Sequence, residues 1–283
     1  MVLRQLDEIT SDAPVWRCIL QTPRLGGALL LNGVKMLARR MLQKTGFDII
    51  RASNAPLANF HSNHYLRHNA RRLEHLASLR IPVAGLSVLE VGAGIGDHSH
   101  YYIDRGCDIT ITEARQQNLE ILKTRYPTHA VKFLDADNPS SIAGAPFDLI
   151  HCYGLLYHLG HPEEALEFFG RNARKMLFLE TCVSFGEEDC VNLTKESRSN
   201  PTQAFSGTGC RPTRTWLYNK LRHLFKYVYL PITQPCHEEF PLDWAAPEKH
   251  SLGLQRAIFI ASHEKLESDL LTRSLIMQQR RQP

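Results

Sequence analysis

Residues Val88–Gly96 read VLEVGAGIG, and this stretch decides the fold. An apolar run carrying Glu90 gives way to Gly92, Gly94 and Gly96 at alternate positions, and a helical segment follows near 97–105. Glycines at a strand-to-helix turn let the backbone approach a ligand closely and adopt dihedrals closed to other residues. The dinucleotide fingerprint needs its third glycine three residues after the second. Here that place is Asp97, and the third glycine comes two after the second, so the stretch departs from that pattern.

Outward from the loop, short apolar runs alternate with helical periodicity. Strands are expected at Ser87–Val91, Asp108–Thr112, Val131–Leu134, Phe147–Cys152, Met176–Leu179, Tyr227–Leu230 and Arg256–Ala261. Helices are expected at 97–105, 115–125, 162–174 and Thr213–Phe225. The alternation predicts a doubly wound, mostly parallel, seven-stranded α/β sheet. Upstream, Asn63–Leu79 reads as a helix, and Gly26–Lys44 as another, with Leu30, Val34, Leu37 and Met41 at helical spacing. The organisation is then a helical cap over 1–62, a domain over 63–262 and a tail over 263–283, where Leu266, Leu270 and Leu271 predict a helix. Two stretches, 182–212 and 231–255, fit no regular element and read as insertions over the substrate side.

The 283 residues, 43% hydrophobic and 22% charged, exclude a disordered or fibrous chain. Seven cysteines without a CxxC pair suggest neither a disulfide framework nor a zinc ribbon. With no apolar stretch near the ~20 residues that span a bilayer, reduced thiols and no signal-peptide pattern, a cytoplasmic protein is expected. The net charge of +4 is uneven: residues 1–86 hold 12 Lys/Arg against 5 Asp/Glu. That basic leader suits an anionic partner such as nucleic acid or a membrane surface, or simply a solvated helix face packed on the body or on a second copy.

The residues after the glycine loop identify its kind. Glu113 ends strand ITITE 21 residues after Gly92, where a carboxylate can accept ribose hydroxyls. Asp135 follows strand 3 in FLDAD, and strand 4 runs into FDLIHCYGLLYHLGHPEEAL. Over roughly residues 60–262 the chain resembles the class I S-adenosylmethionine-dependent methyltransferases. The resemblance implies that Glu90, Gly92, Ala93, Gly94 and Gly96 surround the amino-acid end of S-adenosylmethionine. It places Glu113 and Ala114 at the ribose, Asp135 and Ala136 at the adenine, and Tyr153 in the cofactor wall. Relatives also hold the methionine carboxylate from a helix before strand 1, which points to Arg67, flanked by Tyr65 and His68. Within the superfamily the chain looks closest to small-molecule O-methyltransferases of the ubiquinone-biosynthesis type and to wobble-uridine tRNA-modifying relatives sharing the LYHL step. Motifs of the DPPY type are absent, and His151–Gly154 stands in their place, arguing against an exocyclic-amine target.

A hydroxyl nucleophile must lose a proton to a base or with a metal's help. His158, just past strand 4, is one candidate base. His237 with Glu238 and Glu239 in the second insertion is the other; their spacing matches no recognised metal signature, so no metal is expected. Arg211 and Arg214 at a helix start are candidates for an anionic group, unless Thr213 merely caps that helix. The expected function is methyl transfer from S-adenosylmethionine to oxygen on a small molecule such as a sugar, lipid precursor or specialised metabolite. The alternatives are an RNA methyltransferase docking through the basic leader and a non-catalytic cofactor-binding partner protein.

Overall fold

The computed structural model describes residues 55–282 apart from 201, 251 and 252, together with 37, 38, 40, 41 and 44. The described residues from 55 onward fall in one compact unit. Of the helix expected at Gly26–Lys44, the five described residues are helical and the remainder lies outside the described residues.

Five of the eight strands of the main sheet run parallel side by side: β1 (Ser87–Val91), β2 (Asp108–Glu113), β3 (Ala130–Phe133), β4 (Phe147–Tyr153) and β5 (Ala173–Val183). β6 (Val191–Lys195) and β7 (Thr208–Pro212) leave the sheet and pair with each other, antiparallel. After β8 (Tyr227–Pro231) and the two-residue β9 (Thr233–Gln234), β10 (Gln255–Ser262) inserts antiparallel between β5 and β8. β8 therefore runs parallel to β5. A short β11 (Leu271–Thr272) edges β8, and β12 (Arg280–Arg281) pairs with β9. The order is β3-β2-β1-β4-β5-β10-β8-β11: the seven expected strands plus one edge strand.

Side chains alternate across this sheet and fill two cores. Leu89, Val91, Ile150 and Cys152 face one; Val88, Ile109, Ile111 and Leu149 face the other. The first core is covered by α5 (Pro162–Asn172) and α6 (Arg214–Leu224), through Leu166, Phe169, Leu217 and Leu221. The second is covered by α2 (Asn63–Ser78), α3 (Ser99–Ile103) and α4 (Gln116–Arg125), through Leu76, Tyr102 and Leu122. α1 (Ala55–Phe60) precedes them. Each large apolar side chain fully buried this way contributes about 1.5–3 kcal/mol. Capping fixes the helix starts: Ser62 Oγ accepts from Tyr65 N at 3.3 Å, Thr213 Oγ1 accepts from Trp216 N at 3.2 Å, and Pro162 opens α5.

Three expectations change. The helix after the glycine loop begins at Ser99, not Asp97, because residues 94–98 are spent in turns around Gly96. The 182–212 stretch contains the β6–β7 hairpin, in which an exposed, polar β6 pairs with a more buried β7, and neither shows the apolar alternation that marks a strand. The tail forms no helix. Its leucines pack at the sheet edge, where Leu271 pairs with Pro231, and tertiary pairing overrides the helical spacing.

Candidate functional site

Strand order reverses between β1 and β4, and at such a switch point the carboxyl ends of the strands splay into a crevice. The cleft there encloses about 930 Å³, counting the solvent at its mouth. Gly92 sits in it at φ +68°, where a Cβ would lie 2.7 Å from the Leu155 side chain. Gly96 lies behind, at φ +83°; a Cβ there would strike the Tyr126 ring, whose hydroxyl donates to the Gly96 carbonyl. Only glycine suits these two positions.

Three acids end up as their strands predict. Glu90 is 2% exposed and accepts from Ser99 Oγ at 2.5 Å. Burial raises its carboxyl from 4.5 to about 7. Between those values the folded protein keeps a proton that the unfolded chain has released, so Glu90 makes stability fall as pH rises through this window. Glu90→Gln is expected to flatten that slope. Melting temperatures of both proteins across the window test this, and parallel curves would place the proton elsewhere.

The Glu113 carboxylate accepts three backbone N–H bonds, from Gly94, Ala114 and Arg115, each at 2.9 Å. A carboxylate has roughly four lone-pair sites. The Asn118 side chain also hydrogen-bonds this carboxylate, so a ribose hydroxyl must displace one of these contacts. Asp135 receives Asp137 N at 3.0 Å, and with Ala136 it lines the cleft below β3. Tyr153 lines it from β4 and buries a hydroxyl with no hydrogen-bond partner. Ala93, Gly94 and Ala114 complete this wall.

The first insertion reaches the cleft. Arg115, two residues after Glu113, donates to the carbonyls of Arg198, Gln203 and Ala204 at 2.9–3.0 Å. That holds Thr202, Gln203 and Phe205 over the opening. His158 also lines the cleft, and its Nδ1 pairs with Glu196 on the same insertion. Glu196 in turn accepts from Ala204 N at 2.7 Å and lies 3.5 Å from Arg211. Burial lowers the His158 pKa, while the Glu196 pairing opposes this.

The second insertion does not line the cleft. His237 and Glu238 lie against α2 instead, because that helix turns basic groups toward the loop. Arg67 forks onto Glu238 at 2.6 and 2.7 Å, so neither the arginine assigned to the methionine carboxylate nor the glutamate assigned to catalysis lines the cleft. From the same helix Arg72 does line it, with Tyr65 and Asn69 on the same helix face. Arg72 is 3% exposed and pairs at 2.8 Å with Glu180, itself fully buried. Arg256 joins Glu180 at 3.1 Å to Glu239 at 2.5 Å, so a buried chain of four charges runs beneath the site. Arg211 and Arg214 are engaged within the protein, Arg214 donating to Ile276 O at 2.6 Å and lying over the Trp244 ring.

Among the described residues, no helix is long and apolar enough to cross a membrane. Residues 62–226 match the methyltransferase-domain family. The ubiquinone biosynthesis O-methyltransferase of Xylella fastidiosa (strain 9a5c) is 34% identical over 103 residues, covering 33% of this chain and 39% of that protein. Of solved structures, the N-terminal domain of EvdMO1 in the presence of SAH and D-fucose superposes with a TM-score of 0.55 at 17% identity. The superposition covers 72% of this chain and 85% of that one. The same domain with SAH bound gives 0.56 over the same shares, again at 17% identity. Because the family match runs across more than half of the sequence and the sheet order agrees with it, the chain belongs to the methyltransferase-domain family and has the class I S-adenosylmethionine-dependent methyltransferase fold.

Proposed function

We propose that the protein transfers a methyl group from S-adenosylmethionine to an oxygen of a small molecule, with His158 as the base. The observation that carries this reading is the His158–Glu196 pair on the wall of the cleft. The residues fit the donor: Gly92 and Gly94, where a Cβ would strike side chains of the cleft wall, a strand-end carboxylate ringed by backbone N–H groups, and the orphan hydroxyl of Tyr153. When bound, the sulfonium supplies an electrophilic methyl carbon. Glu113 would hold the ribose and Asp135 the adenine, while Thr202, Gln203 and Phe205 cover the opening. His158 Nε2 would take the proton of an acceptor hydroxyl as that oxygen is methylated. Glu196 fixes Nδ1 and holds the ring in place, as a carboxylate does for a histidine base. The name of the Xylella relative supports oxygen as the accepting atom.

Calorimetry with S-adenosylhomocysteine tests the donor half. Glu113→Ala is expected to weaken binding by about 1–3 kcal/mol, the scale of hydrogen bonds to a charged group. Unchanged affinity would remove the assigned ribose contact, and no binding by the native protein would sink the reading. Turnover of a labelled methyl group with hydroxyl-bearing small molecules tests the acceptor half. The RNA alternative makes an opposite prediction, binding to tRNA that weakens steeply with salt; no such binding is expected at physiological salt.

A further inference from the structure

On the outer side of α2, three imidazoles and a carboxylate converge. His64 and His68 are four residues apart on one helix face, and His237 and Glu239 reach that face from the loop after β9. The His237 ring stacks on His68 with centroids 4.7 Å apart. His64 Nε2 lies 3.5 Å from Glu239 Oε1, and His68 Nε2 lies 3.8 Å from Glu239 Oε2. The donor atoms of His68, His237 and Glu239 all fall within 4.8 Å of one another, and those of His64, His237 and Glu238 form a second such group that shares His237, so His64 must swing from Glu238 to join the first. Zinc bonds of about 2.0–2.1 Å set tetrahedral donors about 3.3 Å apart, so small side-chain movements would gather these groups around one ion.

A second observation points to a ligand. His68 and His237 are 3% and 2% exposed, and the Nε2 of each is buried without a hydrogen-bond partner. Folded proteins rarely leave such atoms unsatisfied. We infer that His64, His68, His237 and Glu239 form a binding site for a divalent transition-metal ion of the zinc class. Three imidazole nitrogens and one carboxylate oxygen suit a borderline cation better than magnesium or calcium, which take oxygen donors.

The surroundings support the assignment. Arg256 holds Glu239 Oε2 at 2.5 Å and leaves Oε1 for the ion, an outer partner of the kind that orients metal ligands. The charges of Arg67, Arg72 and Arg256 are matched by Glu238, Glu180 and Glu239. One contact must yield: Glu239 N donates to His237 Nδ1 at 3.3 Å, and a ring bound through Nε2 carries its proton on Nδ1. The ion would clip the loop to the helix that supplies Tyr65, Asn69 and Arg72 to the cleft. The inference stands whatever acceptor the cleft takes.

The test is titration of the tag-free, chelator-stripped full chain with Co²⁺ and then Zn²⁺. One equivalent of Co²⁺ is expected to give the intense visible bands of a four-coordinate site, and Zn²⁺ to displace it. His64→Ala, at the exposed rim, should weaken binding about tenfold or more, and His68→Gln and Glu239→Gln should abolish it. His223→Ala, a distant exposed histidine, should change nothing. No bound equivalent, only a weak octahedral spectrum, or equal affinity in native and His64→Ala proteins would overturn the site. If His68→Gln fails to fold by circular dichroism, the native spectrum and His64→Ala decide the matter.

Discussion

Replacing His158 with alanine is expected to lower turnover by about 10²–10⁴-fold, the range over which a positioned general base acts. Affinity for S-adenosylhomocysteine should barely move, because Nδ1 faces Glu196 and the donor is held by other residues. The pH profile separates this role from packing. A histidine base works only when neutral, so the rate rises with pH through its pKa and then levels. Burial lowers that pKa below 6.5, which puts the rising limb on the acid side and leaves the plateau at neutral pH. The Glu196 pairing pushes the other way, so Glu196→Gln should move the limb to still lower pH as well as slow the reaction. Single-turnover rates are the measurement, since product release would mask chemistry. Native rates that stay flat from about pH 5.5 to 8.5, with full turnover in His158→Ala, would leave positioning alone as the source of rate.

The largest stability effect is expected at Arg72. Removing one partner of a buried ion pair costs about 3–5 kcal/mol, because the other charge is left behind without its counterpart. Glu180 keeps Arg256 at 3.1 Å, so Arg72→Leu should fall at the lower end, about 3 kcal/mol. Adding Glu180→Gln to that variant should recover part of the loss. Denaturant midpoints read both effects. A change within about 0.5 kcal/mol, the range of ordinary surface substitutions, would mean that Arg72 is solvated and the buried chain is not a unit.

The difference between Arg72 and Arg67 shows how far the sequence could be read. The glycine loop, Glu113 and Asp135 were legible because their geometry is local: each lies at or just past the end of a strand whose apolar pattern locates it. The helix before β1 was legible too, but not its orientation. Tyr65, Asn69 and Arg72 fall on one helical face, while Arg67 lies roughly 200° around the helix from Tyr65. Which face turns inward is set by docking on the sheet, and nothing in the local pattern around Arg67 reveals it. Glu196 left no trace, since it lies in a polar hairpin region with neither helical nor strand periodicity and meets His158 only through tertiary folding. His237 and Glu238 misled for the opposite reason: histidine beside carboxylates is conspicuous in sequence, yet β9 leads this loop against α2 and away from the cleft wall.

Arg115 joins two jobs that a chain usually keeps apart. Its backbone N–H braces the Glu113 carboxylate, while its guanidinium ties down the carbonyls of residues 198, 203 and 204. A ligand that tugs on Glu113 therefore tugs, through one residue, on the roof above the neighbouring space. Binding of donor and acceptor is expected to be coupled through Arg115. The one that settles on Glu113 sets the shape of the doorway for the other, and the kinetics of the pair should show a compulsory order of arrival.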